Sequence, residues 1–135
     1  MMTNDHEYIS YRIARARELM ADDELLSRNE RWRSGVNRLY YASFQLIGAL
    51  LFKEKITTKT HEGLKTKFFQ LFIKTGKIDK KYGKLYSQLI DWRQESDYSE
   101  IVEFHKEDVV PLFEKTQEFN ELLINQLESH LGDKY

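Results

Sequence analysis

Val36-Asn37-Arg38-Leu39-Tyr40-Tyr41-Ala42-Ser43-Phe44-Gln45-Leu46-Ile47-Gly48-Ala49-Leu50-Leu51 places Val36, Tyr40, Ser43, Ile47 and Leu50 on one line at three- and four-residue steps. Leu39, Phe44, Leu46 and Leu51 broaden that line. A stripe this wide belongs to a helix buried between several neighbours, so it calls for a bundle built around it. The helix is predicted to run from a break near Ser27-Arg28-Asn29, whose side chains can serve as N-caps, to about Lys55. Arg38, Ala42, Gln45 and Ala49 share one side, so Arg38 emerges beside small residues that let another helix come close. Tyr40 and Tyr41 point about 100° apart, and at most one of them can lie fully in the core.

The flanking segments keep the same period. Tyr8, Ile9, Ile13, Ala16, Leu19 and Met20 predict a first helix over residues 5–26. After the connector Ile56-Thr57-Thr58-Lys59, Thr60 can cap a shorter helix carrying Leu64, Phe68, Leu71 and Phe72, which Gly76 ends in a left-handed turn. Asp79 stands at the N-cap of a fourth helix with Tyr82, Leu85, Tyr86, Leu89, Ile90 and Arg93. Residues 96–106 read as polar and irregular. Asp108 is then expected to cap a last helix, with Pro111 in its first turn and Leu112, Phe113, Thr116, Phe119, Leu122, Leu123, Gln126 and Leu127 on its apolar face. The expectation is an all-α fold, an antiparallel up-and-down bundle of four to five helices forming a single domain over residues 1–135, with a frayed end after Gly132.

Composition narrows the chemistry. With 41% hydrophobic and 32% charged residues, one Pro and six Gly, the chain of 135 residues has the balance of a folded, helix-rich protein. It has no cysteine, which removes disulfides, thiolate zinc sites and Cys nucleophiles. The start lacks a basic, then apolar, leader, and no apolar run reaches the ~20 residues of a membrane span. A cytoplasmic location without membrane contact is expected. The net charge of -1 conceals an uneven distribution: residues 53–84 hold ten lysines against Glu54, Glu62 and Asp79. That local excess of seven positive charges can steer phosphate, or can simply solvate short helices. No histidine has a partner at ligand spacing and no Gly-rich phosphate loop is present, so neither metal nor cofactor is expected.

Three strings occur in a defined order: Asn37-Arg38-Leu39-Tyr40-Tyr41-Ala42, then Lys59-Thr60-His61-Glu62-Gly63-Leu64, then Arg93 with Asp97-Tyr98. Together they are similar to the small bacterial and archaeal HEPN family across most of the chain. The resemblance implies a helical bundle that forms a homodimer and is often encoded beside a minimal nucleotidyltransferase in toxin-antitoxin pairs. Many members are metal-independent endoribonucleases, with an Arg and a His four to six residues later meeting at the dimer interface. In some pairs the nucleotidyltransferase modifies a Tyr near that motif. Here Arg93 matches the catalytic Arg, while the motif reads Arg-x4-Tyr and Tyr98 replaces the His. The resemblance and the residue types nominate Arg38, Tyr41, Asp97, Tyr98, Lys59 and His61 as contacts for a nucleotide or RNA.

The replacement has a chemical consequence. A guanidinium stays protonated and grips phosphate through paired donors, so Arg93 can perform its part at any physiological pH. A Tyr with a pKa of ~10 is ionised to about one part in a thousand at pH 7, whereas a His at ~6.5 suits a general base. Asp97, four residues after Arg93, can orient the guanidinium and partly neutralise it. The segment therefore reads first as a binding element of a nucleotidyltransferase-HEPN pair. Two other readings stay open: an active endoribonuclease, and a structural bundle in which Arg93 and Asp97 form an end-of-helix ion pair while Tyr98 packs inward. Trp32 and Trp92 are expected in the core or an interface. His61 reads first as a surface residue near the cap, and His105 could approach Arg93 only through folding.

Overall fold

A computed structural model describes residues 4–98 and 101–132. Five α-helices make up the described chain: α1 (Asn4–Arg28), α2 (Trp32–Lys53), α3 (His61–Phe68), α4 (Lys80–Tyr98) and α5 (Lys106–Gly132). No strand occurs among the described residues, and the architecture is an all-α bundle. Residues 133–135, at the end expected to fray, lie outside the described residues, as do residues 1–3 at the start.

The broad stripe of α2 makes it the central helix. It packs against α1, α3, α4 and α5, and Val36, Leu39, Tyr40, Leu46, Ile47 and Leu50 are all buried. Tyr8 meets Phe52 and Asp23 faces Gly35, so α1 and α2 run antiparallel. Asn37 meets Asp97 and Tyr40 meets Tyr86, which sets α4 antiparallel to α2 as well. The pairing of Tyr82 with Phe119 and of Trp92 with Phe104 reverses the chain again into α5. The up-and-down order thus follows from each apolar stripe finding the next.

Helix ends depart from expectation in three places. Ser27 and Arg28 lie inside α1, and Asn29 caps its C-terminal end by donating from Nδ2 to the Leu25 carbonyl at 2.8 Å. Glu30 then takes a left-handed conformation (φ 56°), and Arg31, with no side-chain cap, precedes α2. The fourth helix continues to Tyr98, because Ser96 is buried and donates its hydroxyl back to the Arg93 carbonyl at 2.8 Å. The last helix begins at Lys106, before Asp108, because the His105 carbonyl accepts from the amides of Asp108 and Val109. Pro111 is therefore the sixth helical residue, with Gln126 exposed near the other end.

The middle of the chain follows its local chemistry. Thr60 accepts from the Gly63 amide at 2.9 Å and starts α3, and Gly76 (φ 76°) closes the segment. Between them residues Phe69–Ile73 widen into a π-helical turn packed on Gly83, where a Cβ would come within 3.1 Å of Phe69. Removing the cap by Thr60→Ala should cost about 1 kcal/mol, read as a lower midpoint in urea with an unchanged slope.

Candidate functional site

Arg93 sits on the face of α4 turned to α2, its side chain 14% exposed. The guanidinium lies 4.8 Å from the centroid of the Tyr40 ring and 5.9 Å from that of Tyr41. Nη1 donates to the Tyr41 hydroxyl and pairs with the Asp97 carboxylate, both at a long 3.4 Å. Nε is buried without an acceptor, which costs on the order of 1–3 kcal/mol and sets the stacking on two rings against it.

Asp97 ties this group to the start of α2. It accepts from Asn37 Nδ2 at 3.4 Å, and Asn37 in turn accepts from Arg38 Nη1 at 3.0 Å. Arg33 donates to the backbone carbonyls of Ser96 and Val102 and lies over the Phe104 ring. The end of α4 is thereby pinned to the start of α2.

His61 enters from the first turn of α3. Its Nδ1 lies 2.7 Å from the Tyr40 hydroxyl, and its ring stacks on Phe44 at 4.3 Å and meets Tyr41 edge-on at 6.0 Å. Tyr40, 1% exposed, is stacked between His61 and Tyr86. Desolvation, then the positive charge of Arg93, holds His61 below the ordinary histidine range. Burial holds the Tyr40 hydroxyl above the usual phenol range. Both groups are therefore neutral at physiological pH, and Nε2 of His61 is the nitrogen left to face a ligand.

The structure brings together Arg93, Asp97, Tyr41, His61 and, through Asn37, Arg38. Lys59 is exposed on the connector two residues before His61 and joins none of these contacts. Tyr98 is 81% exposed, so the idea that it packs into the bundle is overturned: it follows Asp97 around the helix to the solvent side. The ion pair of Arg93 and Asp97 does form. Trp32 and Trp92 are half-buried, and His105 stands apart beside Arg31 and Phe104. Among the lysines of residues 53–84, Lys55 pairs with Asp5 and Lys81 with Glu118. Sequence reasoning missed Arg33 and Asn37 as positioning residues. Only the Asn-Arg-x-Tyr-Tyr string marked their neighbourhood.

A helical bundle whose second helix presents a Tyr pair to an Arg near the end of the fourth defines the class. The HEPN domain profile matches residues 9–127, and the chain belongs to the HEPN-domain family. It is 40% identical over 118 residues to the UPF0332 protein of Thermotoga maritima, covering 87% of this chain and 89% of that one. Two proteins of Methanocaldococcus jannaschii are also similar. "Putative toxin MJ0142" is 29% identical over 90% of this chain and 80% of its own length, and "Putative toxin MJ0605" is 31% identical over 69% of each. No helix among the described residues is long and apolar enough to cross a membrane.

Proposed function

We propose that this chain is the HEPN member of a toxin-antitoxin-like pair, a cytoplasmic single-domain homodimer that holds a nucleotide or RNA at Arg93, Tyr41 and His61 beside a minimal nucleotidyltransferase partner. The observation that supports this most is the convergence of Arg93 from α4 and His61 from α3 on the Tyr40–Tyr41 pair of α2. A fixed cation beside aromatic faces suits phosphate and base together. The relatives named as toxins point the same way. The exposure of Tyr98 leaves its hydroxyl accessible to a modifying partner.

The neutral His61 favours a second reading, cleavage of RNA without a metal. When Nδ1–H donates to the Tyr40 oxygen, the Nε2 lone pair is free to take the proton of a ribose 2′-hydroxyl, and Arg93 supplies the charge for the phosphate. Such an activity would be unaffected by chelator. Its acid limb would fall below pH 6.5, since the base is held below its ordinary range.

The test is anisotropy of a labelled single-stranded RNA against the purified protein at several salt concentrations, with gels run on the same mixtures. Binding that weakens steadily with salt is expected. Salt-insensitive or absent binding would sink the site, and intact RNA alone would remove only the cleavage reading. Intact mass after co-expression with a nucleotidyltransferase from a neighbouring reading frame would show a nucleotide adduct on Tyr98. Unmodified tyrosines would dismiss that role.

A further inference from the structure

Arg12, on α1, uses its guanidinium in a way the fold does not demand. Nε donates to the Gln45 carbonyl at 2.9 Å, Nη1 to the Tyr8 hydroxyl at 2.7 Å, and Nη2 more weakly to the Phe44 carbonyl at 3.5 Å. Both carbonyls lie inside α2, where the amides of the next turn already serve them. Two of the five N–H donors remain for another acceptor. The cation also lies 5.5 Å from the Tyr8 ring and 5.8 Å from the Phe44 ring.

Gly48 makes this placement possible. A Cβ there would come within 2.0 Å of Arg12 Nη2, so any larger residue would expel the guanidinium. In front of it is a cleft of about 90 Å³ whose polar side chains are Tyr8, Arg12, Thr57 and Thr58, whose remaining wall is apolar, and which has no carboxylate. The opening suits a phosphate group and is too small for a base. Tyr8, braced against Phe52 at 4.3 Å and 41% exposed, offers a stacking face at the rim. Phe44 is shared: the Arg12 guanidinium lies 5.8 Å from its centroid, and His61 stacks on it at 4.3 Å. One ring therefore joins this cleft to the Arg93–His61 cluster.

We propose that the Arg12 cleft is a second phosphate subsite, contiguous with that cluster, and that the ligand is a single-stranded RNA segment of at least two nucleotides and not a free mononucleotide. This rests on the cluster being a nucleotide or RNA site. Lys59, exposed on the connector next to the cleft-lining Thr58, adds positive potential near the rim.

The experiment compares a labelled RNA decamer, read by anisotropy, with AMP, read by calorimetry, for the wild type and three variants. Arg12→Gln should weaken the decamer about 10-fold, as expected for one lost charged phosphate contact, and leave AMP unchanged. Gly48→Ala should do the same without altering charge. Thr57→Glu, exposed on the connector, puts a negative charge at the rim without touching the core, and should also weaken the decamer alone. It keeps the test decisive if either core variant unfolds. Undiminished decamer affinity in the folded variants, or AMP bound by the wild type as tightly as the decamer, overturns the subsite and leaves the Arg93 cluster standing. A wild type that binds neither ligand overturns both.

Discussion

Asp23→Asn is expected to raise the melting temperature at pH 8 by on the order of 10 °C and to flatten the protein's stability between pH 4 and pH 7. Asp23 is 0% exposed near the end of α1, and neither carboxylate oxygen has a hydrogen-bond partner. Burial pushes its pKa from 3.8 up to about 7. Between those two values the folded chain holds a proton that the unfolded chain has released, so stability falls as pH rises through this window and levels off above it. The full loss is about 4 kcal/mol, from the size of the shift. Asn keeps the shape and never ionises, but leaves a buried amide unpaired, so the gain at pH 8 is about 1–3 kcal/mol. Melting curves at half-unit pH steps check this as a difference between the two proteins, which cancels the other titrating groups. Parallel curves would mean that the carboxyl is solvated.

Asp23 lies against the start of α2. Oδ1 faces Gly35, where a Cβ would come within 2.7 Å. Two residues earlier Arg33 holds the Ser96 and Val102 carbonyls. The buried carboxyl thus abuts the same first turn of α2 that carries Arg33, the residue fixing the end of α4.

The helices were legible because apolar spacing is a local signal. Val36, Tyr40, Ser43, Ile47 and Leu50 predict a buried stripe, and all five are buried. Their ends were less legible, because the groups that satisfy them come from elsewhere in the chain. Ser96 looks like a helix terminator until Arg33, 63 residues earlier, supplies a donor to its carbonyl. The π-turn at Phe69 depends on the gap left by Gly83. At the site, the Arg93–Asp97 pair follows from a four-residue interval. His61 was nominated through the family resemblance, but its pairing with Tyr40 was not legible, since the two are 21 positions apart and only tertiary packing joins them. Arg12 had no local signal at all: its cleft exists because Gly48 on another helix lacks a side chain.

Arg93→Ala should weaken single-stranded RNA and nucleotide binding by about 10- to 100-fold, the loss of a charge-assisted contact to phosphate. Its cost to folding should be smaller than that of an ordinary buried ion pair. The substitution removes a cation stacked on Tyr40, but also removes the unsatisfied Nε donor, and Asp97 is only half of a partly exposed pair with a second donor in Asn37. Arg93→Lys separates the two contributions. An ammonium keeps the charge, yet it cannot stack as a plane or present paired donors, so it should restore the salt dependence of binding and little of the affinity. Calorimetric titration alongside melting curves distinguishes these outcomes. Wild-type affinity in Arg93→Ala, with stability reduced, would make Arg93 a helix-end ion pair and nothing more. A near-normal fold with binding lost assigns the guanidinium to the ligand, because a group held on two rings at the cost of an orphaned donor adds little to the bundle that carries it.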